Sequence, residues 1–296
     1  MYKNLNPVAL GVSGRQSELI ELALTYGFRS IDIDVERYLK NAQTKGPEQA
    51  GRFITSAKIN VGAFELPIEW RGGDEDNFKQ ELQKLDSVAP LFAASGASIV
   101  LATVQPSSEE SPYHENFELH RQRLGDIAEI LANHDMTLGV GFLSAPLHRV
   151  DKAYQFICDA EAITTLVKSI SATNVGLALD TWNWHFGGGT VDQIKGLKPE
   201  QLITVSVADA PADVDVPAIT DDQRRLPGEE GLIDNAAYLD ALVELGYSGP
   251  LTLLTAADCF KGLTREAIVQ KCGNLLDEMM KAAEGSNPVP ALAESE

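Results

Sequence analysis

The sequence predicts a single (β/α)8 TIM barrel, an α/β fold. Short apolar runs alternate with longer amphipathic stretches along the chain, and eight of these runs have the length of buried parallel strands. The 296 residues are 44% hydrophobic, which suffices for one large core. A doubly wound sheet is the competing fold. It is disfavoured because the early turn "GVSGRQS" (11–17) lacks the complete glycine fingerprint of a dinucleotide-binding turn.

Each strand is predicted from an apolar run, and each helix from apolar residues at helical spacing. The predicted strands are "VALGV" (8–12), "SIDIDV" (30–35), "INVGAFELP" (59–67), "SIVLATV" (98–104), "TLGVGFL" (137–143), "VGLAL" (175–179), "LITVSV" (202–207) and "PLTLL" (250–254). The predicted helices occupy 17–27, about 38–53, 76–96, 116–134, about 156–170, 234–246 and 264–283. The barrel domain is therefore expected to span 1–283, and the tail 284–296 is expected to be disordered.

The composition disfavours several classes of protein. Lys and Arg number 24 against 43 Asp and Glu, and the net charge of −19 opposes binding to nucleic acid or to anionic membranes. No apolar run approaches the ~20 residues that span a bilayer, and no secretory signal is visible at the start. Three widely spaced cysteines argue against a disulfide framework or a zinc knuckle. These features predict a soluble, cytoplasmic, acidic protein.

Candidate site residues follow from the barrel itself, because barrel chemistry sits at the C-terminal ends of the strands. The polar residues predicted there are Asp34, Glu65, Gln105, Ser144, Asp180, Asn183, His185, Ser206, Asp209 and Thr255. Most of them have an equally good structural explanation, such as a helix cap. Asp180 is the exception, because it ends an apolar strand and precedes "TWNWHFGGG" (181–189). A carboxylate in such dry surroundings needs a cation, hydrogen-bond donors or a proton.

Four segments carry a family resemblance: "LDTWNWHFGGG" (179–189), "VSVADAP" (205–211), "RRLPGEEGLID" (224–234) and "ALVELGYSGPLTL" (241–253). Together they resemble the sugar-phosphate isomerase/epimerase family, the xylose-isomerase-like TIM barrels. The resemblance runs from about residue 8 to about residue 280. It implies a divalent metal (Mn, Mg, Co or Zn) held by a Glu ending strand five, an Asp ending strand six, a His on strand seven and a Glu ending strand eight. In the epimerases the two Glu also transfer protons.

This chain departs from that ligand pattern. The residues at the four implied positions are Gly141, Asp180, Ser206 and Leu254, so one of four ligands remains. Asn183 stands where the family has a substrate-contacting His. Stable metal sites need several ligands in fixed geometry. The sequence therefore predicts a degenerate site without a cofactor, and a divalent metal (Mn, Mg or Zn) would bind only if this assignment is wrong.

The interpretation we favour is a pseudoenzyme that binds a carbohydrate-like ligand or a protein partner without turnover. The predicted ligand-binding residues are Trp182, Asn183, His185, Ser206, Asp209 and Arg225. The two tryptophans, Trp182 and Trp184, could stack on a sugar ring or equally belong to the core. Because barrels of this family often pair, the resemblance is also compatible with a homo-oligomer.

The alternative is an active isomerase, epimerase or lyase on a sugar or polyol. A metal-independent enzyme would use Asp180 or His185 as the catalytic base and Arg225 as an anion clamp. A metal-dependent one would need non-standard ligands, for example Asp34, Glu65, Asp209 or His148.

Overall fold

The computed structural model describes residues 1–228 and 231–286, in which a barrel of parallel strands is surrounded by helices. The barrel strands are β1 (Tyr2–Leu5), β2 (Ser30–Ile31), β3 in two pieces (Asn60–Val61 and Phe64–Glu65), β4 (Ile99–Val104), β5 (Thr137–Phe142), β6 (Val175–Asp180), β7 (Leu202–Val207) and β8 (Pro250–Leu253). The first piece of β3 pairs with β2 and the second with β4, while β1 pairs with β8. The sheet therefore closes on itself, and the predicted TIM barrel is confirmed.

The barrel closes at Gly62 and Ala63, which link the two pieces of β3. A Cβ atom at Gly62 would collide with the side chains of Asn4 and Asp32. Only glycine lets the backbone approach the barrel interior this closely.

The helices outside the barrel begin at side-chain caps in several cases. They are α1 (Gln16–Thr25), α2 (Val35–Lys45), α3 (Pro47–Ala57), α4 (Glu75–Ala93), α5 (Tyr113–Ala132), α6 (Ala160–Ser169), α7 (Thr181–Phe186), α8 (Val191–Lys195), α9 (Asn235–Leu245) and α10 (Arg265–Ser286). Asp34, Asp74, Asp159 and Asp234 accept a hydrogen bond from the third backbone N–H of α2, α4, α6 and α9. None of the helices in the described ranges is long and apolar enough to cross a bilayer.

The prediction of the first strand was wrong. Residues 7–11 form turns with Val8 76% exposed, and β1 lies earlier, at Tyr2–Leu5. Its polar residues are buried because each finds partners. Lys3 Nζ donates to Tyr26 O at 2.8 Å and pairs with Asp277 at 2.6 Å, while Asn4 bonds to Ser30 on β2 and Thr252 on β8.

Two further boundaries differ from the prediction. The run 30–35 is not one strand, because β2 ends at Ile31 and Asp34 caps α2. The single helix expected at about 38–53 is two helices. They are divided at Gly46, which has a φ of 86° and precedes Pro47, the first residue of α3. The predicted disordered tail, 284–296, lies outside the described residues from 287 onward, and its first three residues belong to α10.

Candidate functional site

A cavity of about 250 Å³ opens at the C-terminal ends of the barrel strands. All four positions at which the resemblance implies metal ligands line it: Gly141, Asp180, Ser206 and Leu254. Ser206 lies beside Asp180 across the β6–β7 pair and beside Thr252 across the β7–β8 pair. The cavity is thus the place where barrel chemistry is expected. Gly141, Asp180 and Ser206 lie on β5, β6 and β7 as predicted, whereas Leu254 directly follows β8.

Asp180 is held by three donors. Its carboxylate receives hydrogen bonds from the side-chain amide of Asn183 at 2.8 Å and from the backbone N–H of Trp182 at 3.2 Å. The guanidinium of Arg224 lies 2.8 Å from the same carboxylate, and both side chains are nearly buried, at 11% and 14% exposed. Asp180 therefore has the cation that a dry carboxylate requires.

Arg224 is placed by a second carboxylate and an indole. Its Nη2 lies 3.3 Å from Asp221 Oδ1, and its guanidinium carbon is 5.1 Å from the centroid of the Trp182 ring. Burial by itself would lower the pKa of Arg224, but the carboxylates of Asp180 and Asp221 outweigh it and raise the pKa. Its Nη1 is buried and has no hydrogen-bond partner among the described residues.

The sequence predicted that Arg225 contacts the ligand. The structure instead places the neighbouring residue, Arg224, in the cavity wall. The backbones of Arg225 and Asp209 exchange two hydrogen bonds of 2.8 Å, which turns the Arg225 side chain away from the cavity. Its Nη1 donates to the carbonyls of Asp222 and Arg224 and lies 3.9 Å from Asp258. Arg225 does not line the cavity.

A polar network ties the loops after β5, β6 and β7 together around the cavity. The Asn183 side-chain oxygen accepts from the backbone N–H and the hydroxyl of Ser144, at 2.9 and 3.0 Å. On the other side of the Asp180–Arg224 pair, Asp221 Oδ2 lies 2.6 Å from His148 Nε2. Because these bonds link three separate loops, they fix the position of Arg224 relative to Asp180.

Trp182, predicted to bind ligand, is a core residue instead. It is 0% exposed, it packs edge-on against Phe186, and one face supports Arg224. Trp184 is 1% exposed and donates from Nε1 to Thr190 O at 3.1 Å. Neither ring has a free face for a sugar. The last glycine of the glycine run is explained by this packing, because a Cβ at Gly189 would come within 2.5 Å of the Trp184 ring.

Two other predicted residues, His185 and Asp209, do not line the cavity. His185 is half-buried on α7 and is absent from the cavity lining; burial lowers its pKa, against an opposing effect of Asp209. Asp209 is 0% exposed, and its carboxylate accepts backbone hydrogen bonds from Ala210, Gly228, Gly231 and Ile233 at 2.8–3.1 Å. It therefore organises the loop after β7 and is not available to a ligand.

Sequence reasoning missed part of the cavity wall opposite Asp180. Asp32 lines the cavity and accepts hydrogen bonds from Asn4 Nδ2 at 2.8 Å and from Ala63 N at 2.7 Å. Burial raises the pKa of Asp32 to about 6, against these hydrogen bonds, and the charge of Glu65 raises it further. The predicted strand end at 35 selected Asp34 instead, which is the cap of α2.

Glu65, a predicted strand-end residue, also lines the cavity. The protein atoms around its carboxyl exclude enough water to raise its pKa, and the nearby charge of Arg71 opposes this. The other non-standard ligands considered lie apart from it: Asp34 caps a helix, Asp209 binds backbone, and His148 pairs with Asp221. Within residues 1–228 and 231–286, no three His, Cys, Asp or Glu side chains form a group that could hold a metal ion.

Comparison with known families and proteins agrees with this architecture. The profile of the family described as xylose isomerase-like TIM barrel matches residues 20–277. The chain belongs to this family. Within the xylose isomerase-like barrels, the chain is similar to the solved xylose isomerase domain protein of Alicyclobacillus acidocaldarius, with a TM-score of 0.84 and 26% identity over 96% of this chain and 100% of that one.

Two curated relatives add a chemical context. The inosose isomerase of Bacillus velezensis is 21% identical over 270 residues, which cover 85% of this chain and 91% of that protein. The 3-dehydroshikimate dehydratase of Pseudomonas putida is 24% identical over 264 residues, 88% of this chain but 39% of that protein. The chain is thus an isomerase-like barrel of the type found among proteins that act on sugars and polyols.

Proposed function

We propose that this barrel binds a small polyhydroxylated, carbohydrate-like ligand in the cavity at the strand ends, without a divalent metal and without turning the ligand over. The ligand class is supported by the relatives and by hydroxyl and carboxylate groups in the cavity wall, where Ser206, Thr252 and Glu65 can meet ligand hydroxyls.

The observation that carries the proposal is the ion pair between Arg224 and Asp180. A divalent ion needs several oxygen, nitrogen or sulfur ligands. The four implied positions supply one carboxylate and one hydroxyl, because Gly141 and Leu254 have no donor atoms. The one carboxylate is already paired with a guanidinium at 2.8 Å. This donor set does not fit a divalent metal, and the charge of Arg224 takes the place of the ion beside Asp180.

The same contacts argue against turnover at Asp180. A general base must be free to accept a proton from its substrate. The carboxylate of Asp180 is occupied by Arg224, Asn183 and the backbone of Trp182. The loss of the two glutamates that move protons in the resembling epimerases removes the other acid–base groups at those positions.

The test is a calorimetric screen of the full chain with sugars and polyols, including myo-inositol and D-fructose. We expect a ligand that binds wild type and Arg225→Met but binds Arg224→Met at least tenfold more weakly. Arg225→Met is the matched control, because it removes the adjacent arginine, which does not line the cavity. NMR spectra of the bound ligand in D₂O should remain unchanged over hours, with or without the diamagnetic ion Mg²⁺. Conversion of the ligand, or exchange of its carbon-bound protons, would contradict the proposal.

One observation favours a second function, metal-independent turnover. Asp32 and Glu65 both face the cavity, and the pKa of Asp32 is raised to about 6, near the range in which a carboxyl can exchange protons at neutral pH. If the NMR experiment detects conversion, Asp32→Asn and Glu65→Gln should abolish it while Asp180→Asn retains it. Conversion that survives both substitutions would reject Asp32 and Glu65 as its acid–base groups.

A further inference from the structure

A second cavity lies outside the barrel, between α1 and the α2–α3 pair. Its volume is about 380 Å³, larger than the cavity at the strand ends, and it falls within the 300–1,000 Å³ range of small-molecule sites. We call it the α1–α3 groove. It touches the central cavity at one residue, Asp32, which lines both.

The groove is cationic in a chain whose net charge is −19. Four basic side chains line it: Arg15, Arg37, Lys45 and Arg52. Across the described residues, none of the four has a carboxylate within ion-pair distance, whereas many other basic side chains are paired.

The groove lining also holds two acidic side chains, Asp32 and Asp34, and neither pairs with one of the four cations. Asp34 caps α2 and Asp32 accepts from Asn4 and Ala63. Glu18 pairs with Arg265 at 2.9 Å. Four cations against two carboxylates leave the lining net positive, which favours an anion.

The floor of the groove is apolar. Ile20, Tyr38 and Ile54 are buried beneath it, and Phe53 remains 36% exposed at its edge. An adjoining hollow continues the apolar surface to Leu24, which is 46% exposed. A phenyl ring open to solvent beside a cavity offers a surface for an apolar or planar group.

Two of the cations are held in place before any ligand arrives. Arg37 Nη1 donates to Gly14 O at 3.0 Å, and the guanidinium carbon of Arg52 lies 4.5 Å from the centroid of the Phe53 ring. Fixed guanidinium groups lose little side-chain entropy on binding and recognise carboxylate, sulfonate and phosphate oxygens well.

We infer that the α1–α3 groove is a second binding site, for a small amphiphilic organic anion. The apolar body of the ligand lies on Phe53 and the groove floor, and its carboxylate, sulfonate or phosphate group lies between Arg37 and Arg52. This inference does not rest on the function proposed for the central cavity, because Arg224 and Asp180 take no part in the groove.

The experiment uses 8-anilinonaphthalene-1-sulfonate, an aromatic anion whose fluorescence increases on apolar surfaces, titrated into the full chain. We expect saturable binding of one dye per chain, at least tenfold weaker in Arg37→Ala/Arg52→Ala. The control Lys79→Ala/Lys84→Ala removes two exposed cations from α4 and should bind as wild type. Phe53→Ala keeps every charge and should also weaken binding. Unchanged affinity in the groove variants, or an equal loss in the control, would overturn the inference.

A competition experiment tests the contributions of the apolar body and of the anionic group of the ligand separately. Decanoate, an apolar carboxylate, should displace the dye, and inorganic phosphate at the same concentration should displace far less. Equal displacement by phosphate would show that the groove binds anions alone and would overturn the amphiphilic assignment.

Discussion

Replacement of Arg224 by methionine tests the ion pair on which the site depends. The substitution leaves the carboxylate of Asp180, 14% exposed, without a cation. Removing one partner of a buried pair typically costs about 3–5 kcal/mol. Since Asn183 and the backbone of Trp182 still donate to this carboxylate, we expect a loss near the lower end, about 3 kcal/mol in the free energy of unfolding.

Replacement of the other partner, Asp180, should lower the free energy of unfolding by less, because the two partners are not equivalent. In Asp180→Asn, Arg224 keeps Asp221 at 3.3 Å as a second carboxylate, so we expect a loss of about 1–2 kcal/mol. Urea denaturation of both single variants, the double variant and the control Arg225→Met measures these values and the coupling energy. Equal losses for the two single variants, or a coupling below about 0.5 kcal/mol, would refute the argument.

Three further predictions concern titration and packing. Burial lowers the pKa of His120 to about 4. Since protonation of the unfolded chain near pH 6.5 then opposes folding, wild type should lose about 2 kcal/mol relative to His120→Phe between pH 7 and pH 5, and no change would contradict this origin of acid sensitivity. The raised pKa of Asp32, about 6, acts in the opposite direction: relative to Asp32→Asn, wild type should lose stability as pH rises from about 4 to 6, and a gain would be inconsistent with a raised value. Gly189→Ala places a Cβ 2.5 Å from the Trp184 ring and should lower the free energy of unfolding by about 1–3 kcal/mol, whereas Gly196→Ala, with its nearest contact at 3.4 Å, should change it by less than about 1 kcal/mol. Similar values for the two alanine variants would show that the glycine is not needed for packing.

The barrel was predictable because most of its strands are continuous apolar runs. The first strand was missed since β1 contains Lys3 and Asn4, whose burial depends on partners far away in the chain, such as Asp277 and Thr252. Local pattern cannot reveal such partners. The apolar run at 8–12 was a better local match, yet it forms turns and Val8 is exposed.

Strand-end reasoning found the cavity positions but not their contacts. Gly141, Asp180, Ser206 and Leu254 all line the cavity, because parallel strands end at one edge of a barrel. The choice between Arg224 and Arg225 depends on a backbone pairing with Asp209 that no sequence periodicity shows.

The burial of the Trp182 and Trp184 rings could not be predicted from the sequence either. Trp182 and Trp184 follow a strand, as ligand-stacking residues often do. The short helix α7 directs both rings inward, where Arg224 and Thr190 are their polar partners.

The most direct test of a metal-free cavity is calorimetry of Mn²⁺ binding to chelator-treated protein, with Asp180→Ala as the control. Pairing of Asp180 with Arg224 predicts no specific binding to either protein. Binding at micromolar or lower Kd that disappears in Asp180→Ala would contradict the account and restore a metal-dependent isomerase as the leading function.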